Sequence, residues 1–82
     1  MTTQAEIEQR ILDFIRREIL RNQPGLNLDT DLLAAGFDSL SLVSFLLFVE
    51  REFGVWIPER EVTADILANI RSLAAHVLKR VS

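Results

Sequence analysis

Apolar residues return at helical spacing directly after the N-terminus. Thr3 and Glu6, three residues apart, fit a capping box, in which the two side chains satisfy free backbone N–H groups at a helix start. An amphipathic first helix is predicted over residues 4–22, because the apolar positions recur at Ile7, Ile11, Phe14, Ile15 and Ile19. Pro24 and Gly25 are typical of a turn, so we expect the helix to end before them.

A second helix is predicted from Asp38 to about Phe53, and it has two apolar faces. Asp38 is a favourable N-cap residue, and Gly54 is suited to end the helix in a left-handed conformation. With residues placed at 100° intervals, one side collects a core stripe of Leu42, Phe45, Leu46, Val49 and Phe53. A second arc consists of Leu40, Val43 and Leu47, and the residues that border it are polar, among them Ser39 and Glu50. The polar borders favour exposure of this arc, although a central helix buried on both faces fits the same pattern.

The rest of the chain predicts one connection and two further helices. Residues 23–37 form a long connection, and we expect its leucines to pack across the helices: Leu26, Leu28, Leu32 and Leu33. Trp56 is expected to be a partly buried anchor. Thr63 is placed to cap a short helix over residues 64–68. Asn69 is placed to cap a last helix over residues 70–81, with inward positions Ile70, Leu73, Ala74, Val77 and Val81.

These elements predict an all-α fold in a single domain over residues 1–82. The expected architecture is a four-helix bundle of three longer helices and a short third helix, with a long loop between the first and second helices.

Composition narrows the classes of function. The 82 residues carry a formal net charge of −3 without a run of basic residues, which argues against a nucleic-acid partner. The chain has no cysteine, so its own side chains offer no thiol nucleophile and no thiolate metal site. The longest uncharged stretch, Leu40 to Val49, is too short to span a bilayer, and the N-terminus lacks the features of a signal peptide. We therefore expect a cytoplasmic monomer without stable membrane insertion.

Ser39, in the first turn of the predicted second helix, is the main candidate for chemistry. A helix start favours anions, and Asp38 already fills the capping role, which leaves Ser39 without a structural one. A serine hydrolase needs a base, and the only histidine, His76, lies in the last helix at an expected surface or interhelical position. The carboxylates around Asp29 lack the spacing of a calcium loop. Neither an enzyme nor a metal site is predicted.

The run LDTDLLAAGFDSL, from Leu28 to Leu40, resembles the signature of acyl carrier proteins and peptidyl carrier domains. The wider context agrees, with an apolar helix ending at Gly54, Ile57-Pro58 followed by acids, and the length of one carrier domain. The resemblance covers essentially the whole chain. It implies a stand-alone carrier that is not itself an enzyme. Coenzyme A would provide 4′-phosphopantetheine for the Ser39 hydroxyl, and the terminal thiol of that group would hold an acyl cargo as a thioester.

The resemblance also implies roles for other residues and for partners. Asp38 corresponds to the motif acid beside the serine. Docking of partner enzymes is implied for Leu40, Val43, Leu47 and Glu50. Shelter of an acyl chain in the interior is implied for Phe45, Leu46, Val49, Ile57, Val62 and Ile66. The implied partners are a phosphopantetheinyl transferase, which supplies the metal and the base for attachment, an acyl- or aminoacyl-loading ligase, and synthases or acyltransferases.

The second helix departs from the carriers of bacterial fatty acid synthesis, which usually place an acid after Asp-Ser-Leu and more acids along this helix. Here Ser41, Ser44 and Arg51 stand at such positions, leaving Glu50 and Glu52. This favours apolar docking and a dedicated fatty-acid, polyketide or related lipid pathway. An aminoacyl or peptidyl carrier is the alternative on these residues. An unmodified helical interaction module, in which Ser39 stays a free hydroxyl, is the alternative from another class.

Overall fold

The computed structural model describes residues 2–81, so Met1 and Ser82, the ends of the predicted domain, lie outside the described residues. Three α-helices form the fold: α1 (Gln4–Phe14), α2 (Ser39–Phe53) and α3 (Ile70–Val81). A long loop over residues 20–38 joins α1 to α2, and two 3-10 turns lie between α2 and α3, Glu59–Glu61 and Ile66–Ala68. Over residues 2–81 the structure is helical and contains no strand, which confirms the all-α prediction. The short third helix predicted over residues 64–68 is a 3-10 turn.

The first helix begins at the predicted residue with one of the two hydrogen bonds of a capping box, and it ends differently. The hydroxyl oxygen of Thr3 accepts a hydrogen bond from the backbone N–H of Glu6 at 3.2 Å. Regular α-helix stops at Phe14 and gives way to a π-helical turn, Ile15–Ile19. There the backbone N–H of Leu20 donates to the carbonyl oxygen of Ile15 at 2.7 Å, five residues back. The helical path therefore ends before residue 22, and Leu20 is buried just beyond it.

The second and last helices have the predicted bounds over the described residues. Asp38 caps α2, because its Oδ1 accepts from the backbone N–H of Ser41 at 2.9 Å. Gly54 ends α2 with a φ of +71°, a left-handed conformation that residues with a Cβ adopt at a cost. Asn69 caps α3 in the same way as Asp38 caps α2, its Oδ1 accepting from the N–H of Ser72 at 2.9 Å.

The core lies where the three helices meet, and α1 packs along α3. The four buried positions of α3 are all predicted ones: Ile70, Leu73, Ala74 and Val77. On α2, the buried set also includes Phe48, which the helical wheel leaves outside the core stripe. Phe48 is only 3% exposed and stacks on Phe14 of α1, with ring centroids 4.2 Å apart and planes 15° apart. It is buried because α1 covers a flank of α2 that is otherwise polar.

The long loop is fixed to the segment that leads into α3. The backbone N–H of Leu32 donates to the carbonyl oxygen of Ala68, and that of Arg71 donates to the carbonyl oxygen of Leu28, both at 3.3 Å. The Arg71 guanidinium also contacts Asp29, with an Nε–Oδ1 distance of 2.7 Å. This hydrogen bond and the charge of Asp29 raise the pKa of Arg71. The loop is therefore an ordered part of the domain.

The leucines of this loop do not all pack inward. Leu26 and Leu32 are buried and Leu28 is half-buried, as predicted. Leu33 is 49% exposed, so the expectation that it packs across the helices is wrong. The reason is local: residues 32–36 form a tight turn, in which Leu32 takes the inward position and Leu33 the outward one.

Trp56 lies in the connector, residues 54–58 between α2 and the 3-10 turn Glu59–Glu61, and His76 lies on α3. The Trp56 side chain is 52% exposed, so the expectation of a partly buried anchor is wrong. Its backbone oxygen accepts from the Arg80 guanidinium at 3.3 Å. The connector is therefore held to α3 through its main chain and not through the indole. His76 is half-buried, with Nε2 3.3 Å from Oε1 of Glu61, and Arg80 lies 3.1 Å from the other oxygen of that carboxylate. This agrees with the predicted surface or interhelical position of His76.

Candidate functional site

Ser39 is the first residue of α2, and its side chain is exposed. Within residues 2–81 its hydroxyl has no hydrogen-bond partner. Two other serines at helix starts differ, because the Ser41 hydroxyl donates to Asp38 and the Ser72 hydroxyl donates to the carbonyl oxygen of Ile66, each at 2.9 Å. The Ser39 hydroxyl therefore takes no part in holding the fold and is available for reaction.

Asp38 holds the turn in which Ser39 lies. Its Oδ1 accepts from both the backbone N–H and the hydroxyl of Ser41, and these two hydrogen bonds lower the pKa of the Asp38 carboxyl. The carboxylate is thus ionised at neutral pH, where its charge complements the positive end of the helix dipole. The two hydrogen bonds from Ser41 engage Asp38 as the cap of α2.

The predicted second apolar arc of α2 is exposed. Leu40, Val43 and Leu47 expose 76%, 44% and 53% of their surface, and Glu50 beside them is also exposed. We refer to Leu40, Val43 and Leu47 as the exposed stripe. The alternative of a helix buried on both faces is therefore wrong, while the docking role of the stripe stays a prediction.

The residues predicted to shelter an acyl chain belong mostly to the packed core. The four most buried are at most 3% exposed: Phe45, Leu46, Val49 and Ile57. Val62 and Ile66 are half-buried at its edge. Their role toward a cargo stays a prediction.

Two grooves flank the start of α2. The apolar groove, of about 280 Å³, is lined by Leu33, Phe37, Asp38, Ser39, Leu42 and Leu67. The acidic groove, of about 200 Å³, is lined by Glu18, Ile19, Asp38, Leu40, Ser41 and Ser44. Ser39 lines only the first of these. Sequence reasoning missed the apolar groove because its walls come from three separate segments, and no pattern in the sequence points to it.

Over the described residues, no helix is both long enough and apolar enough to cross a membrane.

Comparison with known proteins bears on the site directly. The family model described as phosphopantetheine attachment site matches residues 9–77. Aminoacyl carrier protein 2 from Bradyrhizobium diazoefficiens is 22% identical to the chain over 81 residues, which cover 96% of this chain and 91% of that protein.

The residues at the start of α2 fit the group that this family carries. An exposed hydroxyl without a hydrogen bond is free to form a phosphodiester, and a helix N-terminus favours the charge of that diester. Domains of the family are carriers and not catalysts, and they interact with phosphopantetheinyl transferases and with the ligases and synthases that handle the cargo. The chain belongs to the phosphopantetheine attachment family, and its cofactor is covalently attached 4′-phosphopantetheine.

Proposed function

We propose that this chain is a carrier protein that bears 4′-phosphopantetheine on the Oγ atom of Ser39 and presents a thioester-linked cargo to partner enzymes. The observation that carries the proposal is the exposed Ser39 hydroxyl, unbonded among the described residues, in the first turn of a helix that its neighbour Asp38 caps. The site lies inside the region matched by the family model.

In the attachment step, the Ser39 oxygen forms a bond to the phosphorus next to the pantetheine arm of coenzyme A. The phosphoanhydride bond breaks, and the nucleotide part leaves as adenosine 3′,5′-bisphosphate. The hydroxyl proton goes to a base of the transferase, while Asp38 stays hydrogen-bonded to Ser41 as the cap of α2. When bound, the group supplies the thiol that the chain lacks. The first turn of α2 then holds the diester charge against the positive end of the helix dipole.

The cargo that we propose is an aminoacyl group, held outside the helix bundle. The most buried residues predicted to line an acyl pocket are packed in the core, so an amino acid on the arm does not need to displace them. The similarity to an aminoacyl carrier protein supports the same assignment. A fatty or polyketide acyl group is the second candidate, which the apolar groove beside Ser39 favours.

The intact mass of the protein isolated from its source cells distinguishes the two cargoes. We expect a form whose mass exceeds that of the phosphopantetheinylated protein by one amino acid residue, and which loses this increment on thioester cleavage while keeping the arm. A long-chain acyl increment would support the second candidate and contradict the first. Protein with Ser39→Ala, expressed in the same cells, is the control and is expected to carry neither increment.

The exposed stripe is proposed as the surface that the transferase and the cargo enzymes contact. Replacing Leu47 with aspartate places a charge in an apolar contact, and we expect the rate of phosphopantetheine attachment to fall by about tenfold. The helix content should not change, since Leu47 is 53% exposed. The rate of mass gain and the circular dichroism spectrum measure the two effects.

The matched control is Ala75→Asp, which adds the same charge at an exposed position of α3. It is expected to leave the attachment rate unchanged. An equal rate for the Leu47→Asp and unmodified proteins would mean that partners use another surface. Loss of helix in Leu47→Asp would mean that the stripe is structural.

A further inference from the structure

We propose that the apolar groove binds the first part of the Ser39-linked arm. This part lies near the phosphate and carries two methyl groups on one carbon. The arm then leaves Ser39 toward the long loop and the 3-10 turn Ile66–Ala68, and not across the exposed stripe. This inference rests on the proposed attachment to Ser39 and assigns a second function to the residues beside it.

The position and chemistry of the groove match this part of the arm. Ser39 itself forms part of the lining, so the arm begins at the edge of the groove. Among the remaining lining residues, only Asp38 carries a polar side chain; the others are Leu33, Phe37, Leu42 and Leu67. The dimethyl carbon is the most apolar part of the arm and has no hydrogen-bonding group to satisfy. Its burial against leucine side chains is therefore favourable.

The acidic groove on the other side of α2 is unsuited to the same segment. Glu18 lines this groove and not the apolar groove, whereas Asp38 lines both, and the phosphodiester near the dimethyl carbon is negatively charged. The Ser41 hydroxyl, which also lines this groove, already donates to Asp38 and offers the arm no free proton. Repulsion from Glu18 therefore directs the arm to the apolar groove.

The apolar groove is formed before the arm arrives. The backbone N–H of Leu32 donates to the carbonyl oxygen of Ala68, which ties the long loop to the 3-10 turn. Leu33 directly follows Leu32, and Leu67 directly precedes Ala68. This one hydrogen bond therefore holds the two walls opposite each other. A site with fixed walls avoids the entropy cost of ordering them on binding.

The test is a measurement of proton–proton proximity in the modified protein. The full chain, with ¹³C-labelled leucine and phenylalanine, is converted with unlabelled coenzyme A and a broad-specificity phosphopantetheinyl transferase, and its mass is checked. We expect nuclear Overhauser effects from the two arm methyl groups to Leu33, Phe37 and Leu67. We expect none to Leu40 or Leu47 of the exposed stripe.

Two variants separate this inference from the attachment itself. Leu33→Asp replaces an exposed wall residue and should still gain the arm, while losing the Overhauser effects to Leu67. Leu47→Asp, a matched change outside the apolar groove, should keep these effects once it is fully modified. Modified protein whose arm methyl groups contact the exposed stripe, or contact no labelled residue, would overturn the inference and leave the proposed function intact. An unmodified mass in the wild-type protein would overturn both.

Discussion

Replacement of Ser39 with alanine is expected to abolish attachment of phosphopantetheine completely while leaving the fold intact. No other residue among those described combines a hydroxyl without a hydrogen bond and a place in the first turn of a helix. The cap of α2 does not depend on Ser39, because Asp38 and Ser41 form it. Incubation with coenzyme A and a broad-specificity transferase, followed by intact mass analysis, measures attachment. Circular dichroism and thermal unfolding check the fold.

Ser44→Ala is the matched control for this change. Ser44 is also an exposed serine on α2, but it lies in the interior of the helix. Its alanine variant should gain one phosphopantetheine at the wild-type rate. A gain in mass by the Ser39→Ala protein would show that another residue bears the arm. If neither the wild-type protein nor Ser44→Ala gains mass while a control carrier does, the interaction-module alternative would replace the carrier proposal.

Replacement of Phe48 with alanine is expected to destabilise the protein by about 3–5 kcal/mol. The ring is 3% exposed, stacks on Phe14 and meets Phe53 edge-to-face, with ring centroids 6.1 Å apart. Its removal leaves a cavity between α1 and α2 and deletes two aromatic contacts. A domain of this size has a free energy of unfolding on the order of 5 kcal/mol, so most of its stability would be lost. Urea unfolding monitored by circular dichroism gives the difference.

The neighbouring residue supplies the control. Leu47→Ala removes a side chain that is 53% exposed, and we expect a change of about 0.5 kcal/mol or less. The two substitutions are adjacent in sequence and differ in burial, so their contrast tests which face of α2 contacts α1. Similar free energies of unfolding for the two variants would mean that this assignment of faces is wrong.

The sequence predicted what local residue chemistry determines. Asp38 and Gly54 set the ends of α2 through a side-chain cap and a left-handed backbone, and each effect acts within a few residues. Asn69 likewise sets the start of α3. The exposed stripe was predictable too, because polar residues border it on the helical wheel.

Some errors arose where a distant segment decides the outcome, and others arose in local turns, at Leu33 and at the end of α1. Phe48 is buried because Phe14 covers it, which the periodicity of α2 alone does not indicate. The end of α1 depends on a π-helical turn, and helix periodicity does not anticipate its wider hydrogen bonds. Leu33 and Leu67 both line the apolar groove but lie far apart in the sequence, so no local motif predicts it. For the candidate site, sequence alone thus identified the serine and its cap but not the surface beside them.

The hydrogen bonds between the long loop and the segment leading into α3 also set an order of assembly. A ribosome synthesises the chain from its N-terminus, so Ser39 is made well before Leu67, Ala68 and Arg71. Until those later residues have emerged, the loop has no backbone partner at Ala68, and the apolar groove lacks one of its walls. During translation, Ser39 is therefore present before its site is complete, and docking of the later 3-10 turn Ile66–Ala68 supplies the missing wall.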